Sequence, residues 1–304
     1  MAEITKLNIA IIGLGDIAQK AYLPILANHP QVSPILCTRD DQTLIQLATT
    51  YRIERCYTKV VDMLRGKIDA AMVHTATESH FKIVLQLLNA GIPTFVDKPL
   101  SLSFKESEEL LNLALQKQVA LYVGFNRRFA PLVQNLTKEP GALQIEWLKN
   151  RVNQPAEPHN FIFNDFIHVI DGLRFLSLGK VSDLQVDSRV KNGLLETINV
   201  QWRQNETRMS GYMNRVSGCT EERIEYYTPE NKWLLEELDL GWHYKNGGAR
   251  RLKFDHWEST LYKRGFVAMI DDWLAVLQSK NFDAGRIHDI WETHNLCARI
   301  VACC

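Results

Sequence analysis

The chain has 304 residues, 46% of them hydrophobic and 23% charged, and its 35 basic and 35 acidic side chains leave no formal net charge. This composition is ordinary for a globular protein and excludes a disordered chain, a collagen-like repeat and a coiled-coil rod. A chain without surplus cations is a poor general binder of nucleic acid, and no apolar run approaches the roughly 18 residues of a membrane span. At about 150 residues per domain, the length favours two domains.

The cysteines and histidines predict neither disulfides nor a metal. The six cysteines contain no Cys-x-x-Cys pair, and a chain of this size does not depend on disulfides. We therefore expect reduced thiols in a cytoplasmic protein. The N-terminal apolar stretch runs directly into glycines, which predicts no secretory signal. The nine histidines form no His-Glu-x-x-His motif and no tight cluster with cysteine, so no zinc site is expected.

The first part of the chain, residues 1–125, alternates between short apolar runs and patterns of helical period. The apolar runs predict buried strands, and the segments between them predict helices. The strands are predicted at 7–12, 32–37, 68–75, 92–96 and 119–125, and the helices at 18–26, 41–51, 80–90 and 103–116. Strands that alternate with helices of this length predict right-handed βαβ units and an α/β domain with a doubly wound parallel sheet.

The second part, residues 126–304, has a different pattern. A strand is predicted at 142–151 and one helix at 164–178. Residues 184–244 alternate and are rich in Thr, Tyr, Trp and Val, which predicts antiparallel strands. Two further helices are predicted at 259–277 and 286–303, and we expect the C-terminal helix to pack back on the first domain. The second domain is therefore predicted to be of the α+β class.

A glycine motif follows the first strand and opens the first helix. In this context, Gly13-x-Gly15-x-x-Ala18 is typical of a dinucleotide-binding loop in a Rossmann fold. Gly13 permits the tight turn, Gly15 lets a pyrophosphate approach the backbone, and Ala18 lets the helix pack near the strand. The helix start, which includes Asp16 and Ile17, offers free N–H groups to the anion. The alternative is a plain strand–helix turn.

The end of the second strand bears on the choice between NAD and NADP. An acidic residue there would bind the adenosine ribose 2′-hydroxyl, but Thr38 stands in that position and is followed by Arg39. An arginine can pair with a 2′-phosphate and stack on adenine. These residues favour NADP. NAD stays open if Asp40 or Asp41 takes the acidic position, and Arg39 could also be an exposed surface charge.

Lys98 is the first candidate for chemistry. It follows the strand 92–96, and the carboxyl ends of parallel strands are where such sheets bind ligands. The neighbouring Pro99 favours a cis peptide bond, which would fix the direction of the lysine. Partial burial beside a cationic nicotinamide would lower the pKa of Lys98 and suit it to proton transfer. The alternative is a surface lysine before a helix.

Several motifs together resemble the Gfo/Idh/MocA family of oxidoreductases, and within it the MviM-type members. The matching segments are the glycine motif at 13–18, Thr-Ala-Thr-Glu-Ser-His at 75–80, Val-Asp-Lys-Pro-Leu at 96–100, Gly-Phe-Asn-Arg-Arg-Phe at 124–129 and His-Val-Ile-Asp at 168–171. Asp97 replaces the usual glutamate of the lysine motif, and Ala76 replaces a proline. The resemblance implies that Thr75, Ala76, His80 and Asp97 help to bind the cofactor.

The resemblance also implies a fold, an activity and an assembly. The expected fold is a Rossmann domain over 1–125 and a substrate and oligomerisation domain over 126–304 with an open, mostly antiparallel sheet. The expected activity is hydride transfer between NAD(P) and a hydroxyl-bearing carbon, often of a sugar or cyclitol. Members form homodimers or homotetramers through the exposed sheet face. Four aromatic residues are candidates for that face, and alternation alone leaves open which side of the sheet they take: Trp147, Trp202, Tyr212 and Tyr226.

The predicted catalytic helix departs from the family pattern. The family has aspartate four residues before histidine, whereas this chain has Asn164 there, and Asp165 stands three residues before His168. Neighbours at both spacings share a helix face, so Asp165 could still orient His168, and Asn164 could hold a substrate hydroxyl. Asp171 could fix the tautomer of the histidine. The alternatives are helix capping by Asn164 and Asp165, a merely packed His168, and a salt bridge between Asp171 and Arg174.

Two further residues complete the predicted site. Asn126 and Arg127 follow the last strand of the first domain and are expected to line the substrate cleft, with anchoring of the domain junction as the alternative. We hypothesise an NADP(H)-linked oxidoreductase acting on a small polyhydroxylated substrate, with Lys98 and His168 as acid–base groups. A non-catalytic dinucleotide-binding regulator is the main alternative, because Asn164 replaces the usual aspartate. The glycine loop disfavours a structural oligomer without a cofactor.

Overall fold

The computed structural model of the chain describes residues 6–177 and 179–304. The chain divides into two compact units. The first contains the residues up to Gly124 together with Ile270–Trp291, and the second contains Phe125–Met269 and Glu292–Cys304. The sequence-based boundary between residues 125 and 126 therefore lies one residue from the first change of unit. Within the described ranges, no helix is long and apolar enough to cross a membrane.

The secondary structure begins with strands and helices in alternation and continues with a long series of strands. The strands are β1 Leu7–Ile12, β2 Val32–Cys37, β3 Cys56–Tyr57, β4 Ala70–Val73, β5 Thr94–Val96, β6 Leu121–Val123, β7 Gln144–Val152, β8 Val181–Lys191, β9 Leu194–Gln204, β10 Thr207–Ser217, β11 Glu221–Thr228, β12 Asn231–Glu236, β13 Leu240–Lys245 and β14 Gly248–Lys253. The α-helices are α1 Leu23–Leu26, α2 Asp41–Tyr51, α3 Val60–Met63, α4 His80–Asn89, α5 Phe104–Lys117, α6 Pro131–Leu136, α7 Pro158–Phe161, α8 Ile167–Leu176, α9 Thr260–Lys263, α10 Phe266–Ser279 and α11 Ala284–Val301.

The first unit contains a parallel sheet in the strand order β3-β2-β1-β4-β5-β6. The strand order reverses between β1 and β4, which places a topological switch point at their carboxyl ends. Ile9, Ile11 and their neighbours in β1 are buried, because helices cover both faces of such a sheet. The predicted doubly wound α/β fold is confirmed.

The second unit contains a sheet in the order β14-β13-β12-β11-β7-β10-β9-β8. Its neighbours pair antiparallel except for β7 and β10, which run parallel. Helix α8 packs on β7 and β10. A Cβ added at Gly172 of α8 would lie 2.1 Å from the ring of Trp147, so glycine at this position permits a close helix–sheet contact. The predicted mostly antiparallel sheet is confirmed.

The aromatic residues proposed for the uncovered face of this sheet divide between its two faces. Trp147, Trp202 and Tyr226 are 1%, 2% and 3% exposed, and Trp147 packs under α8. Tyr212 is half-buried and pairs with Leu148 on the other face. The prediction was therefore wrong for the three buried residues. Strand alternation separates two faces, but it does not state which of them the helices cover.

The predicted helix at 164–178 covers two helical pieces in the structure. A π-helix at Ile162–Phe166 follows α7 and precedes α8. A second π-helix, Ala18–Tyr22, lies between the glycine loop and α1. Wider turns of this kind occur often at functional sites. The predicted end of the longer helix, Leu178, lies outside the described residues.

Candidate active site

The glycine loop in the first unit has the geometry that a dinucleotide pyrophosphate needs. Gly13 has φ +87°, and an added Cβ would lie 2.6 Å from the Thr75 backbone nitrogen. Gly13 therefore packs against the turn after β4. An added Cβ at Gly15 would meet nothing within 4 Å, so this backbone faces open space. Ala18 is fully buried at the start of the π-helix. These residues fit the cofactor that the sequence motif indicates.

The two loop glycines give a matched pair of variants. Gly13→Ala is expected to lower the free energy of unfolding by about 1–3 kcal/mol, because it combines a backbone clash with an unfavourable positive φ. Gly15→Ala is expected to unfold at the same urea concentration as the unmodified chain but to bind dinucleotide more weakly. Urea titrations and cofactor fluorescence measure the two effects. Equal stability of the two variants would contradict the assignment of Gly13 to a packed turn and of Gly15 to the open side of the loop.

At the end of β2, the structure places Thr38 half-buried and Arg39 exposed. Asp40 caps α2: its carboxylate accepts hydrogen bonds from the backbone N–H groups of Gln42 and Thr43 at 3.0 and 3.2 Å. These bonds lower the pKa of Asp40. A ribose hydroxyl would have to compete with the helix start for this carboxylate, so the contacts disfavour the Asp40 alternative.

The turns after β4 and β5 are joined by His80. Its Nδ1 lies 2.8 Å from the carbonyl oxygen of Pro99, and its Nε2 lies 3.0 Å from that of Thr75. The predicted cis peptide bond between Lys98 and Pro99 is confirmed. Ala76 is exposed at the tip of the first turn. Thr75 therefore packs on Gly13 of the glycine loop, and His80 joins Thr75 to the turn that carries Lys98.

The carboxylate beside the lysine has a partner that sequence reasoning missed. The Tyr22 hydroxyl donates a hydrogen bond to Asp97 Oδ1 at 2.9 Å. Burial raises the pKa of Asp97, while the charge of Lys98 opposes that shift. The ring of Tyr22 stacks on His74, with centroids 3.9 Å apart. Tyr22 lies 75 residues before Asp97, and no local pattern relates the two.

In the second unit, Asp165 forms ion pairs with two basic residues of β7. Lys149 Nζ contacts its carboxylate, and Arg151 Nε lies 2.8 Å from Oδ2. Burial opposes ionisation of Asp165, but the charges of Lys149 and Arg151 outweigh it and lower its pKa. Burial, followed by the charge of Arg127, lowers the pKa of Lys149 to about 7. The predicted orientation of His168 by Asp165 stays a prediction.

Asp171 contacts residues from two other segments of the chain. Arg128 donates to its two oxygens at 2.8 and 2.5 Å. Thr293 donates to Oδ1 at 3.1 Å and accepts a bond from Arg174 at 2.6 Å. Asp171 therefore joins α8 to the segment after β6 and to α11, and the bidentate Arg128 contact is the strongest of these interactions.

The remaining predicted residues of this unit differ in exposure. His168 is 8% exposed. Asn164 donates to Asn160 Oδ1 at 3.3 Å on an exposed surface. Because hydrogen bonds in a π-helix join residues five apart, Asp165 is turned relative to its position in a regular α-helix. The prediction that Asp165 and His168 share one helix face holds for a regular α-helix, whereas Asp165 lies in the π-helix.

Arg127 is buried in a pair with Glu222. Its Nε and Nη2 donate to the two carboxylate oxygens at 2.7 and 2.9 Å, and Nη1 donates to Asn126 Oδ1 at 3.3 Å. Asn126 in turn donates to the carbonyl oxygen of Arg264 at 2.8 Å. These contacts lie within the second unit and anchor the Arg127 side chain there, and its predicted contact with substrate stays a prediction.

Two sets of candidate groups therefore exist, one in each unit. The first unit carries the glycine loop, Arg39, His80 and Lys98, and the second carries His168. Among the residues that the structure describes, no group of three or more His, Cys, Asp or Glu side chains could hold a metal ion. The expectation that Lys98 and His168 reach one substrate oxygen stays a prediction.

Comparisons with known proteins identify the family. A family model described as an oxidoreductase family with an NAD-binding Rossmann fold matches residues 7–125. The protein named "Putative oxidoreductase YceM" from Salmonella typhimurium is 31% identical over 289 residues, covering 90% of each chain. A Gfo/Idh/MocA family oxidoreductase from Vibrio cholerae has a crystal structure with a TM-score of 0.92, 36% identity, and coverage of 98% of this chain and 99% of that one.

A second solved structure, the MviM dehydrogenase from Clostridium difficile, has a TM-score of 0.91 and 25% identity, covering 98% of this chain and 99% of that one. The chain belongs to the Gfo/Idh/MocA family of oxidoreductases, and the predicted likeness to its MviM-type members is confirmed. At lower identity, a protein named myo-inositol 2-dehydrogenase from Thermotoga maritima is 26% identical over 197 residues, covering 60% of this chain and 59% of that protein.

Proposed function

We propose that the protein is an NADP(H)-linked oxidoreductase that acts on a hydroxyl-bearing carbon of a small polyhydroxylated substrate, or on the corresponding ketone. The observation that carries the proposal is the position of Lys98. It lies directly after β5, in a turn that His80 joins to the turn packed on Gly13 of the glycine loop. The likeness to an inositol dehydrogenase supports a cyclitol or sugar as the substrate class.

The residues of the chain supply positions and proton transfer. A bound nicotinamide would supply or accept the hydride. Lys98 hydrogen-bonds the reacting oxygen and accepts its proton during oxidation, and Asp97, held by Tyr22, stays beside the lysine. His168 is the proposed second acid–base group. A buried histidine whose helix is fixed through Asp171 and Arg128 offers a well-positioned ring.

A non-catalytic, dinucleotide-binding regulator is the second candidate. The observation that favours it is the engagement of Asp165 by Lys149 and Arg151, together with asparagine at position 164. A dehydrogenase screen over inositols, aldoses and uronates with both cofactors separates the two functions. Turnover of any of these substrates supports the enzyme. No turnover, with a partner protein recovered only in the presence of NADP, supports the regulator.

NADP is expected to bind about ten- to a hundredfold more tightly than NAD, because one charged hydrogen bond from Arg39 to the 2′-phosphate contributes about 1.5–3 kcal/mol. Arg39→Ala is expected to remove this preference and leave NAD affinity unchanged. Fluorescence titration with both cofactors measures the effect. Arg65→Ala is the matched control, since the Arg65 side chain is 81% exposed and forms an ion pair with the nearby Asp62. Equal affinities for the unmodified protein would contradict the prediction.

We also propose that the protein is a homodimer or homotetramer through the outer face of the second sheet. Four apolar side chains lie half-buried on that face, among the charged side chains of Glu146, Arg223 and Glu225: Tyr212, Leu148, Leu234 and Trp242. Apolar side chains grouped on one face indicate a surface suited to a protein partner. Sedimentation at micromolar concentration is expected to show a species larger than the 34.9 kDa chain, and Tyr212→Glu is expected to weaken the assembly. A monomer at that concentration would contradict the proposal.

A further inference from the structure

The side chain of His80 is buried between two backbone carbonyl groups. It is 1% exposed, and it belongs to the first turn of α4. Its Nδ1 lies 2.8 Å from the Pro99 oxygen, and its Nε2 lies 3.0 Å from the Thr75 oxygen. Both separations are those of normal N–H···O hydrogen bonds. Each ring nitrogen therefore faces one acceptor.

The two acceptors define the protonation of the ring. A carbonyl oxygen accepts hydrogen bonds and donates none, and a neutral imidazole has a single N–H donor. With a neutral ring, one of the two nitrogens would direct a lone pair at a carbonyl oxygen in a site without solvent. A buried acceptor left without a donor destabilises the folded state. Only an imidazolium, which donates from both nitrogens, satisfies the two contacts together.

The charged and titratable groups around His80 are compatible with a cation. From the turn after β5, Asp97 supplies a negative charge that interacts with His80, and Lys98 interacts with the same carboxylate. From β4, burial and then the charge of His80 lower the pKa of His74 to about 3, so His74 is neutral. Tyr22 stacks on His74 and donates to Asp97. On its own helical segment, Glu78 and Lys82 are exposed to solvent.

We infer that His80 is held as an imidazolium and acts as a positioning residue for Lys98, a role that rests on the proposed function. It clamps the turn that carries Lys98 and Pro99 to the turn that carries Thr75. Thr75 in turn packs on Gly13 of the glycine loop. The clamp thereby sets the lysine relative to the backbone that receives the dinucleotide, and the proton on each ring nitrogen is what holds the two turns together.

The protonation is tested by nitrogen-15 NMR of the unmodified full-length protein labelled at histidine, at neutral pH. Both ring nitrogens of His80 are expected to carry a directly bonded proton. His74 is the internal comparison and is expected to show one protonated and one unprotonated nitrogen. An unprotonated nitrogen in His80 would overturn the inference. This measurement needs neither a substrate nor a folded variant, so it is decided separately from the proposed activity.

The positioning role is tested with His80→Gln, whose amide nitrogen can donate to one of the two carbonyl groups but whose amide oxygen offers no donor to the other. Its kcat is expected to fall about 10–100-fold, since small displacements of a reacting group have effects of this size, while KM for the substrate stays within about twofold. His29→Gln is the control, because His29 lies in the same unit beside Asp271. An unchanged kcat in a folded His80→Gln protein would overturn the positioning role. If His80→Gln does not fold, His80→Asn is measured in the same way.

Discussion

Replacing Lys98 by alanine is expected to lower kcat by about 10²–10⁴-fold, the usual size of the effect for a general acid–base group. The substitution removes the proton acceptor at the carboxyl end of β5. The only other ionisable group of that short segment, Asp97, is occupied by the Tyr22 hydroxyl. Initial rates with the best substrate from the cofactor screen measure the loss. NADP affinity is expected to change little, because the glycine loop and Arg39 are untouched.

Three other substitutions make this expectation specific. Lys105→Ala removes an exposed lysine from the first turn of α5 and is expected to leave kcat unchanged. His168→Ala is expected to lower kcat by a similar factor to Lys98→Ala, since it removes the proposed second acid–base group. Asp165→Asn is expected to lower kcat less. A Lys98→Ala protein that keeps more than about a tenth of the activity would be incompatible with proton transfer by Lys98.

Much of the first unit could be predicted because its elements have strong local patterns. The bounds of β1, β2 and α2 agree with the predicted segments, since buried parallel strands read as continuous apolar runs. Strand β3 has two residues, and it was not predicted because so short a run shows no period. The π-helices were also not predicted, since one inserted residue leaves the apolar spacing of a helix nearly unchanged.

The candidate site could be predicted in its motifs but not in its pairings. The glycine loop and the cis bond before Pro99 follow from local rules. The partners of Asp171 and Asp165 do not: Arg128 lies 43 residues from Asp171, and Lys149 lies 16 residues from Asp165. Each carboxylate was expected to serve His168 because the two lie close to it in sequence. In the structure, both carboxylates form ion pairs with basic residues of other elements, and their predicted contacts with His168 stay predictions.

Arg127 also pairs with a residue far away in the sequence, and its replacement gives the largest expected loss of stability. Arg127→Ala is expected to lower the free energy of unfolding by about 3–5 kcal/mol, because it removes the hydrogen-bonded counterion of a buried carboxylate. Glu222, the remaining partner, is 6% exposed. Urea denaturation at neutral pH measures the change. A loss below about 1 kcal/mol, the size typical of an exposed ion pair, would contradict the anchoring role.

Acid pH and a double substitution distinguish this mechanism from a simple loss of packing. Burial raises the pKa of Glu222, but the charges of Arg127 and Lys149 outweigh it and hold that pKa at about 2. Its ionised form therefore stabilises the unmodified protein above the ordinary range of a glutamate pKa, and this stabilisation is lost as the pH falls towards 2. In Arg127→Ala the burial effect prevails, so Glu222 takes up a proton more readily. The stability difference between the two proteins is then expected to be largest at neutral pH and to narrow in acid.

Arg127→Met combined with Glu222→Leu removes both charges and is expected to recover most of the lost stability. A difference that stays constant with pH would mean that Arg127 contributes by packing alone.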